Sequence, residues 1–333
     1  MKPTMQDVAD FARVSRATVS RVLADSVNVS PDKRALVLEA VQKLGYRPHK
    51  KMRTNIQILV GAAPAQENDP FYAEIVCGIE RGLKINRVRM HMELSQERFV
   101  DAIANACEEF HGVLLIGNAN LHERVHNYLK QHNIPMVVIH GVGGAERYTY
   151  VNIEERRAMI EIISELAQLG HTDIAYIHGP NTDINYQERI RAFKLGMLSA
   201  HLHLSVNPQF IVYAPGWDEE SGLQAAVQLL TDRRPSAIIT ANDLLAMGVY
   251  QALNQAGLKI PQDVSVIGFG DLECAKHMRP PLNTIAVPLQ SIGEWAVASL
   301  CAQINDENLS PARLTVPTVY RKRQSVAKAN RNQ

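Results

Sequence analysis

TMQDVADFARVSRATVSRVL, residues 4–23, holds two short helical patterns with almost nothing between them. Met5, Val8, Ala9 and Ala12 recur at the i, i+3, i+4, i+7 spacing of an amphipathic helix, and Thr4 stands where an N-cap is needed. Ser15 is a second N-cap. Ala17, Val19, Val22 and Leu23 follow it at helical spacing, which leaves only the ARV of 12–14 to turn the chain. Two helices joined this tightly form a helix-turn-helix, a motif whose second helix lies in the DNA major groove. A third helix is expected over VSPDKRALVLEAVQKLGY. Ser30 would cap it, Pro31 sits in its first turn, Leu36, Leu38, Val41 and Leu44 point inward, and Gly45 ends it.

Charge supports the motif. Residues 1–54 carry 11 Lys and Arg against 5 Asp and Glu, a net +6, whereas residues 55–333 carry 24 against 29, a net −5. A basic module thus precedes a mildly acidic one, although basicity by itself is weak evidence for nucleic acid. On this reading Arg16, Ala17, Ser20 and Arg21 face base edges. Arginine bonds guanine O6 and N7 bidentately, and an alanine methyl suits the methyl of thymine. Ser15 and Thr18 are set for phosphate, which positions the protein without specifying sequence. Thr4 and Asn28 complete the expected DNA contacts.

QDVADFARVSRATVSRVLADSVNVSPDKRALVLEAVQKLGYRP, residues 6–48, closely resembles the headpiece of the lactose-repressor (LacI/GalR) family. One departure lies in the turn. The family usually has glycine where this chain has Arg13, so either Arg13 carries backbone strain at positive φ or the turn differs locally.

Beyond residue 56 apolar, β-branched runs (IQILVGA, GVLLIGN, MVVIHGV, IAYIHGP, QFIVYAP, SAIITAN, VSVIGFG) alternate with stretches of helical period. Such alternation indicates parallel sheets covered on both faces, and there are strands enough for two. The expected fold is therefore an all-α helix-turn-helix headpiece followed by an α/β core of two doubly wound parallel-sheet subdomains. The glycines of GVGGAERYTYVN, 141–152, suggest a crossing between them. The boundaries expected are 1–48 for the headpiece, 49–55 for a short basic linker, 56–150 with 285–310 for the first subdomain, 151–284 with 311–325 for the second, and a polar tail at 326–333.

Ligands of open parallel sheets sit beyond the carboxyl ends of the strands. The residues there are Asn68, Asp69, Asn118, Asn181, Asn242, Asp243 and Asp271, all able to hydrogen-bond a small polar molecule. The core resembles periplasmic sugar-binding proteins and, more closely, the LacI-family core. DPFYAEIVCGIE, LGHTDIAYIHGP, ERIRAFKLGM, TANDLLAMGVYQAL, VSVIGFGDLECAKHMRPPLNTIAVP and PTVYRKRQS carry the likeness, with Ala192 replacing a glycine and a weaker match at 82–98. The resemblance implies effector contacts from Arg189, Asn242, Asp243 and Asp271, with Phe71 and Tyr72 lining the other lobe, and Asn118 joins the expected effector contacts by its place at a strand end. Trp217 falls where sugar-responsive members stack an aromatic ring. A sugar, a sugar acid or a phosphosugar would each suit such a site, since arginine serves hydroxyl, carboxylate and phosphate alike.

Family members normally carry a hinge helix after the headpiece. Between Pro48 and Ile56 this chain has only HKKMRTN, and two helical turns alone would consume about seven residues. The full hinge is expected to be absent, leaving Lys50, Lys51 and Arg53 for phosphates and Met52 as an apolar wedge.

The leading expectation is a cytoplasmic, homodimeric transcriptional repressor of a carbohydrate operon. It would bind operator DNA and a small effector, need no cofactor or metal, and have no membrane association. The dimer follows because each headpiece reads one half-site. An α/β enzyme is the alternative, but GVGG at 141–144 is no full GxGxxG, and hydrolase and P-loop signatures are missing. A transport-type binding protein would need an export signal, and the first residues have no apolar stretch of that kind. The widely spaced Cys77, Cys107, Cys274 and Cys301 are expected to be buried free thiols.

Overall fold

A computed structural model describes residues 3–23, 29–44, 57–62, 70–93, 110–117, 123–141, 147–180, 187–202, 210–232, 234–306 and 308–330. The chain divides into two compact units, residues 1–53 and 54–333.

The first unit holds α1 (Met5–Phe11), α2 (Arg16–Leu23) and α3 (Pro31–Leu44) around a small core of Val8, Ala9, Ala12, Val19, Val22, Val37 and Ala40. α1 and α2 match the sequence expectation. α3 buries Val37 and Ala40, with Val41 and Leu44 packed beside them, while Leu36 and Leu38 are exposed. Of the inward residues expected there, Val41 and Leu44 pack on the core, whereas Val37 and Ala40 take the places expected for Leu36 and Leu38. A 3.6-residue turn aligns 37, 40, 41 and 44 on one stripe and leaves 36 and 38 to either side of it.

The second unit contains two six-stranded sheets. β1 (Gln57–Ala62), β2 (Arg89–Glu93), β3 (Gly112–Ile116), β4 (Met136–Ile139), β5 (Thr149–Ile153) and β11 (Arg313–Val316) form the first, in the order β11-β5-β4-β3-β1-β2, all parallel. β6 (Ile174–His178), β7 (Ile211–Tyr213), β8 (Ala237–Thr240), β9 (Ser265–Gly270), β10 (Asn283–Ala286) and β12 (Val319–Arg321) form the second, in the order β12-β10-β9-β8-β6-β7, with only β12 antiparallel. β3, β4, β6, β8 and β9 are buried along their whole length, as unbroken apolar strands of a two-sided sheet must be.

The helices are α4 (Pro70–Asn86), α5 (Glu123–Gln131), α6 (Glu155–Gln168), α7 (Gln187–Ser199), α8 (Glu219–Asp232), α9 (Asp243–Gln255), α10 (Glu273–His277) and α11 (Leu289–Asn305). One apolar core runs through both sheets, from Ile75, Ile116 and Val137 to Tyr176, Ile238 and Ile267.

Three crossings join the lobes: β5 to α6 at Glu154, β10 to α11 at Val287 and Pro288, and β11 to β12 at Pro317 and Thr318. Two are bonded together, since Glu154 N–H donates to the Val316 carbonyl (2.9 Å) and the Thr318 hydroxyl donates to the Glu154 carbonyl (3.1 Å). These crossings correct the boundaries read from sequence. β5 and β11 belong to the first sheet, β10 belongs whole to the second, and the passage after β5 is Glu154 and not the glycine run. Strands of four or five residues fit either sheet equally well by composition, and only their pairing assigns them.

The expected polar tail is partly fixed. Ala327 N–H donates to Ser265 Oγ (3.1 Å), and Ala329 N–H donates to the Leu169 carbonyl (2.9 Å). Cys77, Cys274 and Cys301 are free thiols, but Cys77 is exposed. Among the described residues no helix is long and apolar enough to cross a membrane, and no group of three or more His, Cys, Asp or Glu could hold a metal ion.

Candidate nucleic-acid face and ligand cleft

Both caps expected for the first two helices form. Thr4 and Asp7 make a reciprocal capping box. The Thr4 hydroxyl donates to Asp7 Oδ2 at 2.7 Å, so this side chain is engaged within its own helix end. Ser15 Oγ accepts from Thr18 N–H at 3.1 Å and lies 2.8 Å from the Thr18 hydroxyl. With Val19 and Val22 buried, Arg16, Ala17, Ser20 and Arg21 lie exposed on the free side of α2, beside exposed Ser15 and half-buried Thr18. The tight turn before them is made by Arg13 at φ 51°. Asn28, Lys50, Lys51, Met52 and Arg53 lie outside the described residues, as do Asn68, Asp69, Asn118 and Asn181.

In the second unit a cavity of about 660 Å³ opens between the first turn of α4, the end of β9 and the β10–α11 crossing. Pro70, Glu74, Asp271, Glu273, Gln290 and Ser291 are among its lining residues. The Gln290 amide donates to Glu74 Oε2 at 2.7 Å, tying α11 to α4 within the first lobe. Asp271 follows Gly270 (φ 128°) and itself sits at φ 60°, which projects it from the strand end. Its carboxylate is paired with Arg323 and lies 4.0 Å from Arg321.

Asp243, at the start of α9, is wholly buried. Its Oδ1 accepts from the Thr284 hydroxyl (2.6 Å) and its Oδ2 from Leu272 N–H (2.7 Å), so it braces the loop that carries Asp271. Burial pushes its carboxyl up to about 6, against those two hydrogen bonds. Asn242 caps the same helix through Leu245 N–H (2.7 Å) and donates to the Trp217 carbonyl (2.8 Å). Trp217 is half-buried, edge-on to His178 at 5.7 Å and packed on Gly179, where a Cβ would come within 2.4 Å of the indole.

Arg189 is 2% exposed. Its Nε and Nη2 donate to Glu155 Oε1 at 2.8 and 2.7 Å, Nη1 donates to the Ala241 carbonyl at 2.5 Å, and the guanidinium lies over the Phe269 ring at 3.8 Å. His140 Nε2 donates to the same Glu155 oxygen at 3.0 Å. Burial alone would raise Glu155, but the charge of Arg189 and the bonds from His140 and Arg189 hold it at about 2. Phe71, beside Tyr72, lies 5.7 Å from the His140 ring. A continuous chain therefore runs from Phe71 and His140 of the first lobe, through Glu155 at a crossing, to Arg189, Asn242 and Trp217 of the second.

The structure thus gathers Phe71, Tyr72, Arg189, Trp217, Asn242, Asp243 and Asp271 near the strand ends, though Arg189 and Asp243 lie beneath the surface of the cleft. His140, Glu155, Glu74 and Gln290 were not foreseen. His140 ends the run MVVIH and Glu155 is the second residue after VNI, so the strand-end rule applied to every strand would have marked both as candidates.

The model for bacterial regulatory proteins of the lacI family matches residues 4–49, and that for a periplasmic binding protein-like domain matches 163–326. Catabolite control protein A of Priestia megaterium is 29% identical over 333 residues, covering 98% of this chain and 99% of the relative. The ribose operon repressor of Escherichia coli K12 is 30% identical over 340 residues, covering 97% and 99%. A solved complex of the transcriptional regulator CelR with cellobiose is 28% identical and superposes with a TM-score of 0.73, covering 97% of this chain and 99% of that one.

Proposed function

This chain belongs to the lacI family of bacterial transcriptional regulators, and from that premise we propose that it represses a carbohydrate-utilisation operon as a cytoplasmic homodimer. Operator affinity would be set by a sugar-class effector held between the two lobes. Its relatives are regulators with a DNA-binding domain and not enzymes. The observation that carries the reading is the exposed quartet Arg16, Ala17, Ser20 and Arg21 on a short helix capped by Ser15, because a base-reading helix must present its polar and small side chains on one open face. Thr18 and Ser15 would hold phosphate, with Thr4 and Asn28 at the margins of the footprint and Lys50, Lys51, Met52 and Arg53 following the backbone at the operator centre. In the core, Asp271, Trp217, Asn118, Phe71 and Tyr72 would meet the effector. Arg189, Asn242 and Asp243 would hold the walls in place. The carbohydrate class is supported by the ribose operon repressor and by cellobiose in the CelR complex.

Selection of bound duplexes from a random pool, followed by gel-shift across a salt series, tests the DNA half. The expected outcome is a pseudopalindrome whose binding weakens steeply with salt. Arg16→Ala should cost about 1–3 kcal/mol on the selected site and relax the preference at one base pair per half-site. A pool that yields no enriched sequence, with or without sugars, would reject the proposal.

A further inference from the structure

We infer that the cleft admits uncharged carbohydrate and rejects the phosphorylated and carboxylated forms of the same sugars. This rests on the reading of the cleft as a carbohydrate site and narrows it. A phosphate or carboxylate leaving water needs charge-assisted donors in its place. Arginine is the usual supplier, and the arginine of this site is committed: Arg189 gives Nε and Nη2 to Glu155 and Nη1 to the Ala241 carbonyl, and one face of its guanidinium to Phe269. Its charge is answered by a fully ionised, buried carboxylate, so the pair offers no net cation. The arginine behind Asp271 is committed likewise, since Arg323 bonds the Asp271 carboxylate and the Leu282 carbonyl.

The lining supplies no other cation. Its charged side chains among the described residues are Glu74, Asp271 and Glu273; Asp271 is paired with Arg323 and Glu273 with Lys276, while Glu74 meets only the Gln290 amide. Carboxylates and amides accept and share hydroxyl protons well, which suits a polyol. An unmatched carboxylate such as Glu74 repels an anion, and the lining has no lysine or arginine among the described residues to offset it.

Calorimetric titration of the full chain with matched sets decides the matter: ribose, ribose 5-phosphate and ribonate; glucose, glucose 6-phosphate and gluconate; cellobiose and cellobionate. In any set that binds, the neutral sugar is expected at least ten-fold tighter than its anions. An anion binding as tightly as its parent, or tighter, overturns the inference and leaves the carbohydrate site standing. No binding by any member, with operator selection intact, overturns the carbohydrate site and the inference together. Glu155→Gln provides a second readout. Unmasking Arg189 should shift the anion-to-neutral affinity ratio at least ten-fold toward the anion, whereas a merely structural Glu155 would weaken both alike and leave the ratio unchanged.

Discussion

Arg13 makes the turn between α1 and α2 at φ 51°, where a side chain is normally unwelcome and glycine costs nothing. A non-glycine residue in that region carries about 1–2 kcal/mol of strain. Arg13→Gly relieves it but frees the unfolded chain, so a net gain of about 0.5–1 kcal/mol is expected in urea melts of the headpiece transition. A loss of stability would show that the arginine side chain contributes more than its backbone costs. Two buried carboxyls make stability depend on pH in opposite senses. Glu155 is held at about 2, below its usual 4.5, so its contribution is present above pH 4.5 and is lost as pH falls toward 2. Asp243 is raised from 3.8 to about 6, so the folded state holds that proton more tightly and stability falls as pH rises from about 4 to 6. Calorimetry across pH 2–7 should show Asp243→Asn removing the fall between 4 and 6 while the acid limb persists. Wild-type behaviour in that variant would mean the decline has another source. Arg189 shows what sequence could reveal at this scale: the resemblance marked the residue and the strand-end position could have marked Glu155, but nothing local pairs two residues 34 positions apart.

Elements were the most readable scale. Each apolar run quoted from the core contains a strand, and β3, β4, β6, β8 and β9 were the plainest, because a strand buried on both faces has no polar side to blur its pattern. Helix faces were less secure: α3 has apolar residues at 36, 37, 38, 40, 41 and 44, and composition could not choose the stripe that packs. Close helix crossings were unreadable too. At Gly248 in α9 an added Cβ would lie 2.1 Å from the Glu219 carbonyl oxygen and 2.2 Å from the Leu223 nitrogen of α8. Gly248→Ala must push two backbones apart, so a cost of about 1–3 kcal/mol is expected, read as a lower urea midpoint of the core at unchanged slope. An unchanged midpoint would show that α8 and α9 separate freely.

For the whole molecule the question is how the cleft and the DNA-reading helix influence each other. Linkage requires reciprocity: a sugar that changes operator affinity five- to 150-fold, the usual range for 1–3 kcal/mol of coupling, must have its own affinity changed by operator DNA by the same factor. Titrating sugar into protein with and without operator measures both sides, and unequal factors would show that the two ligands do not act through one equilibrium. By itself the sequence determined the helix-turn-helix, the two-sheet α/β core and the polar residues at its strand ends, since caps, periodicity and apolar runs are local properties that short-range physics enforces. Only tertiary structure decided which sheet claims β5, β10 and β11, where the lobes cross, and that Glu155 neutralises Arg189 beneath the cleft. Strand pairing and buried charge pairing join residues far apart in the chain, and their energies depend on distance and desolvation that no local pattern encodes.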